Sequence, residues 1–219
     1  GAWPREAEEA IIERDIRLNE SIGAAWHAQH LSSGRSVQLI RNARAKGLPI
    51  SGEASPHHLL LKDDCCQSLG TQAKMNPPLR EQIDIDQLKV GIADQTITIL
   101  ATDHAPHPAS TKSVPFNEAS FGVVGLDCAL ALYAKALIDD GVIDWIQLLG
   151  MMTINPATLI RRPDLGHFTI GACADITVID TNTSYQIQKD AFATTGRNCP
   201  FDGMEVTVSP IATIHQGML

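Results

Sequence analysis

Apolar residues recur along the chain at two different periods, and the alternation between them sets the first expectation. Over residues 6–20 (EAEEAIIERDIRLNE), Ile12 and Ile16 lie one turn apart among charged neighbours, the pattern of an amphipathic helix. A short apolar segment, Ile22 to His30, comes next, and Ser32 and Ser33 can cap the helix that follows. That helix, SGRSVQLIRNARAKG, carries Val37, Ile40 and Ala43 on one stripe and meets a stop at Gly47. Residues 48–54 (LPISGEA) read as a buried strand, and a helix is predicted around Ile85, Leu88 and Ile92. Residues 96–103 (TITILATD), rich in β-branched side chains, read as another strand. A helix from Gly125 to Asp139 presents Leu126, Ala129, Leu132 and Ala136 at helical spacing. Two shorter helices are predicted, one near 145–149 and one opened by Asn155-Pro156, a favourable N-cap and N1 pair.

Short apolar strands alternating with amphipathic helices imply parallel βα units. Three units are legible, too few to close a barrel, so sheet edges are left open. After Asp164 the texture changes. Glycines punctuate strand-like segments at 174–180, 184–188, 203–210 and 211–219, which predicts a small β-rich module with a boundary near residue 163.

Composition narrows the function. Apolar residues make up 44% and charged residues 19% of 219 positions, an ordinary globular balance that excludes disorder and fibrous repeats. A net charge of −8 argues against a nucleic-acid binder or an anionic membrane surface. No run is long and apolar enough to span a bilayer, and the N-terminus carries no signal-peptide pattern. Five cysteines, an odd number without a CxxC, do not make a disulfide framework, so a reducing cytoplasm is the expected setting. The chain begins with Gly1 rather than Met and enters a helix almost at once, so it is expected to be a piece of something longer.

Of the eight histidines, His57, His58, His104 and His107 cluster just after predicted strands and His27 and His30 sit at the end of one, the end of a parallel α/β fold that carries active sites. In ATDHAPH (101–107) a strand delivers Asp103, a carboxylate able to bind a metal and accept a proton, with His104 and His107 on the loop beyond. The alternative is an Asp that caps a turn beside surface histidines. In the pair His27 and His30, side chains three apart on a strand face opposite ways, so at most one faces a barrel mouth. His30, at the strand end, is the better ligand, and His27 the better candidate for a packed, hydrogen-bonded residue. In KMNPPLR (74–80) two prolines stiffen the loop that holds Asn76, and Arg80 either binds an anion or caps a helix.

Taken together, HxxHxS at 27–32, EASPHHLLL at 53–61, KMNPPLR at 74–80, ATDHAPH at 101–107 and SFGVVGLD at 120–127 resemble the dihydroorotases of the bacterial cyclic amidohydrolase type. TINPATLI followed by GHFTIGACADITVID resembles the exit helix of such proteins and the start of their small β module. The resemblance implies an α/β fold: the C-terminal part of a metal-dependent hydrolase (β/α)8 TIM barrel over residues 1–163, then part of a small β-sandwich module over 164–219. It implies two Zn²⁺ per complete site and reversible cyclisation of N-carbamoyl-aspartate to dihydroorotate in pyrimidine synthesis.

Residue by residue, His30 resembles the sixth-strand zinc ligand, and Asp103 the eighth-strand ligand that doubles as general base. Asn76 and His107 resemble substrate contacts, and Phe121-Gly122 the loop whose backbone meets the ring. His57 and His58 receive no role. Dihydropyrimidinases and allantoinases match less well at His58, Asn76 and His107. The family's H-x-H pair, its bridging carboxylate and a further histidine have no counterpart in this chain, whose expected ligands reduce to His30 and Asp103. The implied alternatives are part of an active enzyme and an inactive structural partner of aspartate transcarbamoylase. The implied partners are a small-molecule substrate and either a second copy of the chain or that transcarbamoylase.

Overall fold

The amphipathic N-terminal pattern forms helix α1, Arg5–Asn19, in a computed structural model that describes residues 3–219. Glu6 and Glu8 occupy its first turn, where the helix dipole favours negative charge, and Ile12 and Ile16 are buried. The chain continues through β1 (Trp26–Ala28), α2 (Gly34–Ala45), β2 (Ile50–Ala54), α3 (Pro56–Leu60), α4 (Cys65–Leu69), α5 (Gln82–Ala93) and β3 (Ile99–Leu100). Ser33 caps α2, its hydroxyl accepting the Arg35 N–H at 3.2 Å.

The three strands form one parallel sheet in the order β1-β2-β3. Trp26 pairs with Ile50, and Glu53 with Ile99. Helices α2 and α5 cover the sheet with Val37, Ile40, Leu88 and Ile92, all fully buried. Their close approach depends on Gly91, where a Cβ would lie 2.5 Å from Val37 Cγ1.

Beyond β3 come α6 (Ala109–Lys112), a 3₁₀ turn at Leu126–Cys128, α7 (Ala129–Tyr133), a π turn at Ala134–Ile138, α8 (Trp145–Met152) and α9 (Ile154–Leu159). The helix expected over 125–139 is thus three pieces. Its start is held by His104, whose Nδ1 accepts the Leu126 N–H at 3.1 Å. Asp144 caps α8 by accepting the Gln147 N–H at 2.8 Å. Asn155 does not cap α9, as its sequence position suggested. Thr153 holds the cap position, and the Asn155 amide donates to the Thr98 carbonyl at 2.8 Å.

The C-terminal residues form two separate antiparallel pairs, β4 (Ile176–Asp180) with β7 (Ser209–Ile214) and β5 (Tyr185–Gln186) with β6 (Glu205–Val206). Here the strands are shorter than the pattern suggested, and no sandwich is seen among the described residues. The register slips between Val178 and Ile179, opposite Pro210, which cannot donate to a ladder. The intervening stretch is drawn elsewhere. Ile187, Cys199, Phe201 and Val206 share a buried cluster with Leu61, Leu79, Val124 and Leu132, so residues 187–206 pack on the βα units themselves.

One buried side chain secures the ends of β2 and β3. The Tyr133 hydroxyl lies 2.7 Å from the Ala101 carbonyl and 3.0 Å from that of Ala54, which already accepts the Ala101 N–H. Its single proton therefore serves mainly Ala101. Tyr133→Phe leaves that carbonyl unpaired, and urea unfolding of the full-length protein should show a loss of about 1–3 kcal/mol.

Candidate active site

Strand β1 ends two residues before His30, whose backbone turns into the left-handed region at φ 34°. Glu53, buried on β2, holds that turn. One carboxylate oxygen accepts the His30 N–H at 3.2 Å, and the Glu53 carbonyl accepts the Leu31 N–H at 3.0 Å. The other carboxylate oxygen accepts His27 Nε2–H at 2.9 Å, which leaves His27 Nδ1 to accept from the Ser51 hydroxyl at 2.7 Å. His27 is therefore a hydrogen-bonded residue with both ring nitrogens taken. His30 Nδ1, by contrast, is buried without a partner.

Asp103 repeats the motif three residues past β3, with φ 46°. Non-glycine residues rarely adopt positive φ, and at a functional site the strain is held by the surrounding structure. Among the described residues three others do so, Gln95, Arg161 and Gln216, none of them a predicted site residue. His104 follows and is spent on structure. Its Nδ1 accepts a backbone amide, so its proton sits on Nε2, facing the Thr194 hydroxyl at 3.3 Å.

His107 and the Phe121-Gly122 loop come together directly. His107 Nε2–H donates to the Phe121 carbonyl at 2.7 Å, which leaves Nδ1 as the nitrogen free to meet a ligand. Gly122, at φ 125°, is pressed so close that a Cβ would lie 2.5 Å from the Ala105 Cβ. Two buried lysines hold this loop by its carbonyls. Lys74 Nζ donates to Ala119 at 2.5 Å, and Lys112 Nζ to Ser120 at 3.0 Å and Gly122 at 2.8 Å. Lys74 also stands 4.5 Å from the Phe121 ring centroid. Burial, then the neighbouring charge of Lys74, pushes Lys112 down to about 8.

His30 and Asn76 line one cavity of about 370 Å³ with Trp3, His27 and Arg80. Trp3 tilts against Phe121 at 6.3 Å between centroids, which links this cavity to the His107 loop. His107 borders a second cavity of about 490 Å³ with Lys112 and Arg197. Asp103 lines neither of these two cavities among the described residues.

Arg80 does not cap the helix that follows, whose cap position is Glu81. It donates to the Ser32 hydroxyl at 3.1 Å and the Trp3 carbonyl at 2.6 Å. His57 and His58 are buried edge to face, 4.3 Å apart. His58 Nε2 donates to the Pro77 carbonyl at 3.0 Å, which ties it to the Asn76 turn. Burial pushes both imidazoles down, His58 to about 4, so both are neutral near pH 7. Among the described residues no group of three or more His, Cys, Asp or Glu is placed to hold a metal ion.

A model of the amidohydrolase family matches residues 10–219. The chain belongs to the amidohydrolase family. Among its relatives it is 41% identical over 214 residues to a dihydroorotase of Endomicrobium trichonymphae, covering 98% of this chain and 51% of that protein. It is 42% identical over 214 residues to a dihydroorotase of Pelotomaculum thermopropionicum, covering 98% and 50%. The chain thus spans about half the length of the relatives it matches. Among solved amidohydrolase structures it superposes on the L-hydantoinase (dihydropyrimidinase) of Arthrobacter aurescens with a TM-score of 0.93, at 27% identity, over 98% of this chain and 48% of that one. The D-hydantoinase (dihydropyrimidinase) of a Thermus species, at 23% identity and a TM-score of 0.92 over 98% and 48%, has the same fold.

Sequence reasoning passed over Glu53, Lys112 and Asn198. Glu53 and Lys74 stood inside quoted motifs, but nothing in their spacing showed what they would hold. Lys112 supplies a pH test. Its folded value of about 8 lies below the ordinary 10.5, so above pH 8 the folded state sheds a proton that the unfolded chain keeps. Stability from this group should therefore rise between pH 8 and 10.5. Over that window the urea midpoint of wild type should rise relative to that of Lys112→Met, and a parallel pair of curves would contradict it.

Proposed function

We propose that this chain supplies the C-terminal half of a dihydroorotase: residues 1–163 the last βα units of a (β/α)8 barrel, and residues 164–219 part of a small β-rich domain. The reaction is the reversible cyclisation of N-carbamoyl-L-aspartate to L-dihydroorotate, a step of pyrimidine synthesis in the cytoplasm. The observation that carries the choice of reaction is the identity of 41–42% with proteins named dihydroorotase, against 27% with the hydantoinase of near-identical fold. No helix of the described residues is long and apolar enough to cross a membrane.

His30 and Asp103 would hold zinc in this reading. The unpartnered buried Nδ1 of His30 and the strained backbones at both residues fit a site built to bind something. Two donors are one short of the three that a catalytic zinc normally takes from protein, so the remainder of a binuclear set comes from outside this chain. Zinc supplies Lewis-acid polarisation of the ring amide and makes water more acidic.

The chain's own residues do the rest. In ring opening, the Asp103 carboxylate accepts the proton of the attacking water and returns it to the ring nitrogen as the C–N bond breaks. In ring closure it carries the same proton in reverse, and water leaves. His107, with Nε2–H held by the Phe121 carbonyl, offers Nδ1 to the substrate, and Asn76 offers its exposed amide. The Phe121-Gly122 backbone abuts the ring. The net charge of −8 repels an anionic substrate at long range, so recognition rests on these short contacts.

The test is kinetic, in the full-length protein loaded with zinc. Asp103→Asn should keep the fold and lose about 10²–10⁴-fold in turnover, because an amide cannot take the proton. Asn76→Ala and His107→Ala should act chiefly on KM. Near-normal turnover in the first and unchanged KM in the others would refute the roles. Hydrolysis of hydantoin or dihydrouracil in preference to carbamoyl-aspartate cyclisation would move the reading to the hydantoinases.

A further inference from the structure

The loop that carries Asp103 and His107 and the loop that carries Phe121 and Gly122 are not joined by a strand ladder beyond a single bridge, His104 with Val123. A residue 76 positions further along the chain joins them. Asn198, 3% exposed, enters from the C-terminal segment. Its Oδ1 accepts the His107 N–H at 2.9 Å. Its Nδ2 donates to the Ala105 carbonyl at 2.8 Å and to the Gly122 carbonyl at 3.0 Å. Its main-chain carbonyl accepts the Val124 N–H at 2.9 Å.

The side-chain amide uses both hydrogens and its oxygen on the two loops at once. No other side chain of that length offers two donors and an acceptor: Asp cannot donate, and Leu can do neither. The approach is cut to fit. At Gly196 a Cβ would lie 2.7 Å from Pro106 Cβ and 3.0 Å from Asn198 Oδ1, so a side chain there would push the segment off the loop. The segment is anchored separately upstream, where Asp127 accepts the Ala193 N–H at 2.8 Å and the Thr194 hydroxyl at 2.5 Å.

We propose that Asn198 is a positioning residue of the substrate site, which sets the His107 loop against the Phe121-Gly122 loop so that both meet one ligand. His107 is then fixed at both ends, its amide by Asn198 and its Nε2 by Phe121. The residues 164–219 thereby contribute to the chemistry-bearing face and do more than cover the sheet. The identity of the ligand rests on the dihydroorotase reading; the coupling of the loops does not.

The experiment therefore has two readouts in the full-length protein: steady-state kinetics with carbamoyl-aspartate, and hydrogen–deuterium exchange over 103–108 and 120–125 without substrate. Asn198→Ala should lower kcat/KM about 10- to 100-fold, mostly through KM, and speed exchange in both peptides. Asn198→Asp, which keeps the acceptor but sets a charge against two carbonyl oxygens, should be no better than Ala. Asn198→Gln keeps donors and acceptor on a longer stem and should recover part of the loss. It also carries the test if the Ala variant does not fold.

Asp127→Asn, which loosens only the upstream anchor, should leave KM as in wild type. Wild-type KM and exchange in the Asn198 variants would overturn the proposal, as would an equal rise of KM in Asp127→Asn. A wild-type protein without dihydroorotase turnover would remove the substrate assignment and leave exchange alone to decide the coupling.

Discussion

The parallel sheet gives out after Leu100, and every main-chain group beyond it still needs a partner. Strands of three, five and two residues cannot supply those partners, so buried side chains do. Tyr133 takes the Ala101 carbonyl, Glu53 the His30 amide, Lys112 the Ser120 and Gly122 carbonyls, and Asn198 both loops together. An unpaired buried polar group costs about 1–3 kcal/mol, so each of these contacts is worth more as prevention than as attraction. The site is consequently as well placed as a helix or strand would make it, although most of it is irregular loop.

The same constraint explains the charges. The chain is acidic overall, yet Lys74, Lys112 and Arg80 are buried beside the candidate site. Each is consumed by carbonyl or hydroxyl oxygens, which a long flexible cation reaches where a short side chain would not. Burial first, and the neighbouring charge of Lys74 second, push Lys112 down to about 8.

Much of this architecture was legible from periodicity. The stripe of α2, its serine cap, and the βα alternation all follow from spacing and residue type. The strand ends were less so. The run 96–103 reads as one strand, yet only Ile99 and Leu100 fall in the ladder; Thr98 and Ala101 still donate to Gly52 and Ala54, while their carbonyls go to Asn155 and Tyr133. Asn155-Pro156 looked like a helix start for the same local reason, and a tertiary contact overrode it. His30 and Asp103 do lie within three residues of strand ends, as their sequence positions suggested, whereas His107 lies seven residues past β3. Asn198 left no local signal: the partners of its side chain lie 76 to 93 residues away, and only folding brings them within 3 Å.

On the proposed function, His30 and Asp103, each past the end of a parallel strand and each in the left-handed region, would belong to one metal site. Anomalous diffraction at the zinc edge from crystals of the full-length protein addresses it directly. Zinc is expected within about 2.0–2.2 Å of a His30 ring nitrogen and of an Asp103 carboxylate oxygen. Zinc bound in the crystal without either residue among its ligands would contradict it.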